Sequence, residues 1–169
     1  MLVLFLAFGS GLIGFLDDFI KVVRHRNLGL TEAQKMILQI ALTFGFMFGL
    51  HSLGLLTTQV QFPIFGLVDM GLLYYPIAFF GIIFLVNAVN LTDGLDGLAI
   101  GPCIVAGIVF AIFIYVTGHA RFANYLLLPY TPGVGEVTVF CAALVGAGLG
   151  FLWFNAYPAQ VLSLIHISE

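Results

Sequence analysis

Charged residues are scarce in this sequence. Asp, Glu, Lys and Arg make up 8% of the 169 residues, whereas 62% are hydrophobic, and a soluble domain usually carries about 25% charged residues. A soluble core of this length is too small to enclose so much apolar surface, so the predicted solvent is a lipid bilayer. The five basic residues form no stripe, which argues against nucleic acid as a partner.

The sequence contains two cysteines and lacks the features of a signal peptide. Cys103 and Cys141 lie in apolar runs, where a thiol behaves as a small hydrophobic group and indicates no redox compartment. The apolar N-terminus has no preceding basic region, so it is interpreted as part of a span rather than a signal peptide. Residues 162–169 break with the preceding composition, and we interpret them as a non-native or truncated tail after a partial transmembrane domain at 1–161.

Five apolar runs have the length of membrane spans. Because backbone groups in lipid need internal hydrogen bonds, these runs predict helices, and together they predict an all-α, polytopic transmembrane helix bundle. The predicted spans are about 2–16, 35–53, 72–89, 98–117 and 137–154. Gly146 and Gly150 predict close helix packing in the last span. A small hairpin is predicted within 57–71, and a short interfacial helix around 122–127.

Basic residues set the predicted orientation. Four of the five flank the loop between the first two spans, and cytoplasmic loops are enriched in Lys and Arg. That loop is therefore predicted inside, and alternation of spans also places 90–97 and 155–161 inside. The three most polar motifs of the chain, 17–18, 87–97 and 155–160, are thus predicted to share the cytoplasmic face.

Two of these motifs carry four of the eight acidic residues of the chain. Asp17-Asp18 is either an ordinary charge pair at a helix end, balanced by Lys21, or part of a cation site. The segment Asn87–Gly97 places two amides, a hydroxyl and two carboxylates directly after an apolar span. A polar turn needs one capping residue rather than this many, and acids at a membrane edge are costly, so a functional site is favoured.

The third motif is Asn155-Ala-Tyr-Pro-Ala-Gln160. Alone it is weak evidence for a functional site, but it adds amides to the same predicted face. Several carboxylates and amides with little counter-charge suit Mg2+, which binds through few carboxylates together with substrate phosphates. Phosphoryl transfer uses this arrangement, because the metal neutralises phosphate oxygens while a carboxylate orients or deprotonates the nucleophile.

At these residues the sequence resembles the polyprenyl-phosphate N-acetylhexosamine-1-phosphate transferases of glycosyltransferase family 4, in particular their phospho-N-acetylmuramoyl-pentapeptide transferase branch. The resemblance covers about 1–161, the middle of a protein with about ten spans. It rests on Gly14-Phe-Leu-Asp-Asp18 with Lys21, on Asn87-Ala-Val-Asn-Leu-Thr-Asp-Gly-Leu-Asp-Gly-Leu-Ala99, and on Asn155–Gln160.

The resemblance implies a reaction and its participants. UDP-N-acetylmuramoyl-pentapeptide and undecaprenyl phosphate would give a lipid-linked product and UMP, with Mg2+ as cofactor, at the inner membrane of a bacterium. Assembly as a homodimer also stays open. The implied catalytic residues are Asp17, chosen as the base, with Asp18 and Asp93. Asp93 is also the implied metal ligand. The implied substrate-binding residues are Lys21, Asn87, Asn90, Gly94, Leu95, Asp96 and Asn155.

The sequence departs from the family at one important place. The family continues after Pro-Ala-Gln-Val with Phe-Met-Gly-Asp, whose Asp is its principal metal ligand, whereas this chain reads Leu162-Ser-Leu-Ile165. The chain as given is therefore predicted to be inactive. Three alternatives remain open: a sister enzyme for another UDP-N-acetylhexosamine, an ion-coupled transporter with acids near the bilayer midplane, and a fragment without a binding role.

Overall fold

The computed structural model describes residues 1–24, 29–62, 66–93 and 95–157. The predicted tail, including Ile165, lies outside them. The elements in chain order are α1 (Leu2–Arg24), α2 (Glu32–Ser52), β1 (Gln59–Phe62), β2 (Gly66–Asp69), α3 (Tyr74–Thr92), α4 (Ile100–Gly118), α5 (Ala120–Tyr125) and α6 (Val137–Asn155), with 3-10 turns at Gly71–Leu73 and Val134–Glu136.

Five of the described helices, α1 to α4 and α6, are long and apolar enough to cross a membrane. At most 11% of the most apolar window of each is buried within the chain, so most of their side chains face lipid or further spans. The predicted polytopic helical class is confirmed. Pro76 and Pro102 each lie in the first turn of a helix. N–H groups in the first turn have no acceptor within the helix, so proline costs no helical hydrogen bond there.

The chain divides into two compact units, with the boundary between Ala88 and Val89 inside α3. In the first unit α1 and α2 run antiparallel, because Gly9 lies against Leu42 and Gly49 lies against Leu2. Helix α3 runs antiparallel to α2. Its Tyr75 hydroxyl lies 3.2 Å from His51 Nδ1 near the end of α2, and its Asn87 bonds Gln39 near the start.

The hairpin and the short helix predicted within two of the connections are confirmed, and the side of the membrane on which they lie stays a prediction. Strands β1 and β2 form an antiparallel hairpin in which Val60 pairs with Val68, and α5 is the predicted short helix. Asp69 accepts hydrogen bonds from Thr58 Oγ1 at 2.5 Å and from the Gly71 N–H at 2.9 Å, and these bonds lower the pKa of its carboxyl. Their stabilisation of the hairpin is therefore present above the ordinary pKa of aspartate and is lost as the pH falls through the lowered value.

In the second unit α4 and α6 pack through glycines other than those predicted. A Cβ added to Gly148 would lie 2.9 Å from Ile104, and one added to Gly107 would lie 2.9 Å from Val145. A Cβ at Gly146 or Gly150 would meet nothing within 4 Å of the described chain, so the described helices do not use that pair, and its close packing stays a prediction. Residues two apart on a helix point about 200° apart, which places Gly146 and Gly150 away from the α4 contact.

Replacing Gly148 with leucine is expected to destabilise the second unit by roughly 1–3 kcal/mol, the usual range for overpacking. Gly146→Leu is the matched control, because it makes the same change in helix propensity on the open face of the same helix. The stability of both variants is measured on the purified chain in mild detergent, by adding increasing fractions of a denaturing detergent until the chain unfolds. Equal losses in the two variants would contradict the assigned packing face.

Candidate functional site

Asp17 has three polar partners near the end of α1. Its Oδ2 atom lies 2.8 Å from Lys21 Nζ and 3.1 Å from Lys35 Nζ, and its Oδ1 atom accepts a 2.7 Å hydrogen bond from the Leu30 N–H. The residue is 8% exposed. This carboxylate therefore ties together α1, the segment at 29–30 and the start of α2.

Asp18 has a different environment. Its side chain is 58% exposed, and its one ionic contact with the described residues is to Lys21 Nζ at 3.0 Å. Consecutive residues of a helix point about 100° apart, so one member of the pair faces α2 and the other faces outward. The prediction that this pair terminates its helix is wrong, because α1 continues to Arg24, nearly two turns further.

Local sequence explains how the cluster around Asp17 is assembled. Lys21 follows Asp17 by four residues and Asp18 by three, the two spacings that bring side chains together on a helix. A capping box starts α2: the Gln34 N–H donates to Thr31 Oγ1, and the Thr31 N–H donates to Gln34 Oε1. This start places Lys35 in the first turn of α2, beside Asp17.

Asn87 lies at the same end of the first unit. Its Nδ2 group donates to Gln39 Oε1 at 2.9 Å and to the Ile83 carbonyl at 2.8 Å, and Gln39 is one turn beyond Lys35 on α2. The structure thus brings the first polar motif and Asn87 to one end of the unit, as predicted. One bond joins α3 to α2 and the other lies within α3, and a substrate-binding role for Asn87 stays a prediction.

The second unit contains the acidic loop. Asn90 is exposed in the last turn of α3, Asp93 follows the helix and is exposed, Leu95 is exposed and Asp96 is half-buried. Gly94 was predicted to bind substrate and lies outside the described residues. The loop therefore presents one carboxylate to solvent and a second that is partly covered.

Asn155 holds the far end of this loop. The Gly97 N–H donates a 3.0 Å hydrogen bond to Asn155 Oδ1, and Asn155 is 7% exposed at the end of α6. Gly97 has φ of 72°, a left-handed conformation that favours glycine. The predicted meeting of the second and third motifs is confirmed within this unit. That both units contribute to one pocket stays a prediction.

The described residues contain no group of three or more His, Cys, Asp or Glu side chains placed to hold a metal. Asp93 is an exposed carboxylate that belongs to no such group within the described part of the chain. This donor chemistry fits Mg2+, which keeps several waters and binds through one or two carboxylates plus substrate phosphates. Mg2+ at Asp93 stays a prediction.

Two residues of the site were not among the candidates from sequence. Lys35 was used only to orient the chain, although its distance from the capping residue Thr31 indicates a first-turn position beside the end of α1. Gln39 was overlooked within an apolar run, where a lone amide is costly unless it is bonded. Each contacts a residue that had been predicted.

Fold and site together define a multi-pass membrane protein whose ionisable groups cluster near the ends of its spans. The chain belongs to glycosyl transferase family 4, whose family model matches residues 1–163. A protein of Nitratidesulfovibrio vulgaris named phospho-N-acetylmuramoyl-pentapeptide-transferase is 60% identical over 155 residues, covering 90% of this chain and 43% of the relative.

Two further relatives carry the same name. The protein of Oleidesulfovibrio alaskensis is 54% identical over 162 residues, covering 95% of this chain and 45% of its own length. The protein of Citrifermentans bemidjiense is 46% identical over the same number of residues, again 95% of this chain and 45% of the relative. The chain thus spans less than half the length of the curated relatives that it matches.

Replacing Asn155 with alanine is expected to release the acidic loop, because it leaves the Gly97 N–H without its partner, at a cost of about 1–3 kcal/mol. Asn155→Asp is the matched control, since its carboxylate still offers an acceptor to that N–H. Amide hydrogen exchange at Gly97, compared with exchange in the middle of α4, measures the effect. Unchanged protection at Gly97 in Asn155→Ala would contradict the role of this bond.

Proposed function

We propose that this chain is part of an enzyme that transfers phospho-N-acetylmuramoyl-pentapeptide from its UDP conjugate to undecaprenyl phosphate and releases UMP. Membership of the family and the shared name of the relatives support this proposal. The observation that carries it is the acidic loop Asp93–Gly97, held by Asn155 just beyond the apolar spans. At that depth a soluble nucleotide conjugate can reach the phosphate of a membrane lipid.

In the proposed reaction a phosphate oxygen of the lipid forms a bond to the sugar-linked phosphorus, the bond between the two donor phosphates breaks, and UMP leaves. Mg2+, when bound, neutralises charge on the diphosphate. Asp93 would hold it. Lys21 would face a phosphate, and Asp17 and Asp18 would serve the lipid-phosphate side. The proposed contacts to the nucleotide and sugar are Asn87, Asn90, Gly94, Leu95, Asp96 and Asn155.

We place the active face in the cytoplasm of a bacterium, at its inner membrane. The support is the concentration of basic residues after α1 and the alternation of five spans. Acidic residues at helix ends fit this enzyme better than an ion-coupled transporter. Asp93 follows α3 and is exposed, whereas the acidic residues of such transporters lie near the bilayer midplane on broken helices. A sister enzyme for another UDP-N-acetylhexosamine remains the second candidate.

The test uses the full-length protein that contains this segment, reconstituted with undecaprenyl phosphate and Mg2+. UDP-N-acetylmuramoyl-pentapeptide is expected to give a lipid-linked product and UMP, and UDP-N-acetylglucosamine is expected to give neither. Product from the second donor alone would select the sister enzyme, and product from neither would reject the proposal. The 169-residue chain is expected to form no product, because Ile165 stands where the resemblance expects the principal metal ligand.

A further inference from the structure

The two neighbouring aspartates of α1 differ in how fully their oxygen atoms are used. Both oxygens of Asp17 are occupied, Oδ2 by two ammonium groups within 3.1 Å and Oδ1 by the Leu30 N–H. Its side chain is 12% exposed, whereas that of Asp18 is 58% exposed. Among the residues that the structure describes, Asp18 contacts one ammonium group, that of Lys21, and its side chain stays largely exposed.

A carboxylate in the position of Asp17 is poorly placed to receive a proton from a substrate. Protonation would discharge the group that faces Lys21 on its own helix and Lys35 on α2, and would leave two ammonium groups beside a neutral acid. A general base must also lie within hydrogen-bond reach of the proton that it abstracts. A phosphate could approach Oδ2 of Asp17 only by displacing one of the lysines.

We propose that Asp17 is a positioning residue, which holds the ammonium groups of Lys21 and Lys35 where α1 and α2 meet, and that Asp18 is the member of the pair that reaches the substrate. This inference rests on the proposed function and reverses the choice of Asp17 as base that the sequence favoured. It also gives Lys35 a role at the site, because its ammonium shares one oxygen atom with that of Lys21.

The first test is the pH dependence of kcat in the full-length enzyme. Asp17→Asn keeps the acceptor for Leu30 and loses both ion pairs, so kcat is expected to fall by roughly 10–100-fold through misplacement, with the acidic limb of the profile unmoved. Asp18→Asn is expected to lower kcat about 10²–10⁴-fold, the range for loss of a general base, and to abolish that limb. Loss of the limb in Asp17→Asn, or a normal profile in Asp18→Asn, overturns the proposal.

A second kinetic comparison uses Lys35→Met, which removes a partner of Asp17 without altering either carboxylate. If Asp17 acts through Lys35, the double variant with Asp17→Asn is expected to be scarcely slower than Asp17→Asn alone. If the two residues acted independently, the two losses would multiply. Multiplying losses therefore overturn the positioning role, even where the single variants fold less well.

A third test needs no transfer activity and so separates this proposal from the proposed function. In a Cys103→Ser, Cys141→Ser background, single cysteines replace Asp17 or Asp18 in the 169-residue chain in lipid nanodiscs. A charged thiol reagent is expected to modify position 18 at least about tenfold faster than position 17, because the thiolate must be accessible to react. Equal rates overturn the proposal, whereas normal labelling of this chain together with absence of transfer by the full-length protein rejects the proposed function alone.

Discussion

Replacing Asp93 with asparagine in the full-length protein is expected to lower the rate of lipid-product formation about 10²–10⁴-fold, the range seen when a carboxylate that acts at the reacting group is lost. Asp93 is exposed directly after α3, and the loop that begins there is fixed by the bond between Gly97 and Asn155. The amide keeps the size of the side chain and removes the charge that Mg2+ needs. The measurement is initial rate against Mg2+ concentration.

The matched control for this prediction is Asp69→Asn. Asp69 is also an exposed carboxylate, but its oxygen accepts bonds from Thr58 and Gly71 within the hairpin between α2 and α3. That substitution is expected to leave the transfer rate unchanged. The proposed role of the acidic loop fails if both variants lose activity equally, or if Asp93→Asn retains the wild-type rate at every Mg2+ concentration.

Replacing Gly29 with alanine is expected to disrupt the cluster around Asp17 without removing any of its polar groups. The added Cβ would overlap the Asp17 carboxylate and would lie 2.6 Å from its backbone carbonyl oxygen. A side-chain rotation cannot relieve the backbone contact, so the segment at 29–30 must move and the bond from the Leu30 N–H is lost. The expected cost is roughly 2 kcal/mol, from overpacking and one broken hydrogen bond.

Gly14→Ala serves as the control, because a Cβ there meets nothing within 4 Å, and it is expected to be neutral or slightly stabilising. Unfolding of the 169-residue chain in mild detergent measures both variants, and amide exchange at Leu30 reports on the broken bond. A Gly29→Ala chain with normal stability and a protected Leu30 amide would show that the close approach of Gly29 to Asp17 is wrong.

Features that depend on composition could be predicted from the sequence. Long apolar runs identified the five spans, and the residue types within 57–71 and around 122–127 indicated the hairpin and the short helix. The location of Asn155 at the same end of the spans as the acidic loop was also predicted, because span alternation puts both motifs at one membrane face, whereas the bond between Asn155 and Gly97 was not predicted. These signals are local, or follow from counting spans.

Features that depend on helix rotation could not be predicted. Asp17 and Asp18 are identical in type and adjacent in sequence, and only the position of α2 makes one buried and the other exposed. The same reason explains why α4 packs on Gly148 and not on Gly146 or Gly150, since spacing four apart identifies a shared face without showing where that face points. Asn87 was predicted to bind substrate, yet the amide partner that it finds on α2 lies 48 residues away.

The capping box at Thr31 has a consequence for sequence change at this junction. It fixes the first residue of α2, and with it the azimuth of every later side chain of that helix. One residue inserted between Thr31 and Lys35 would turn the lysine by about 100°, away from its carboxylate, while leaving composition and charge almost unaltered. The junction should therefore accept substitutions on its solvent side far better than any change in length.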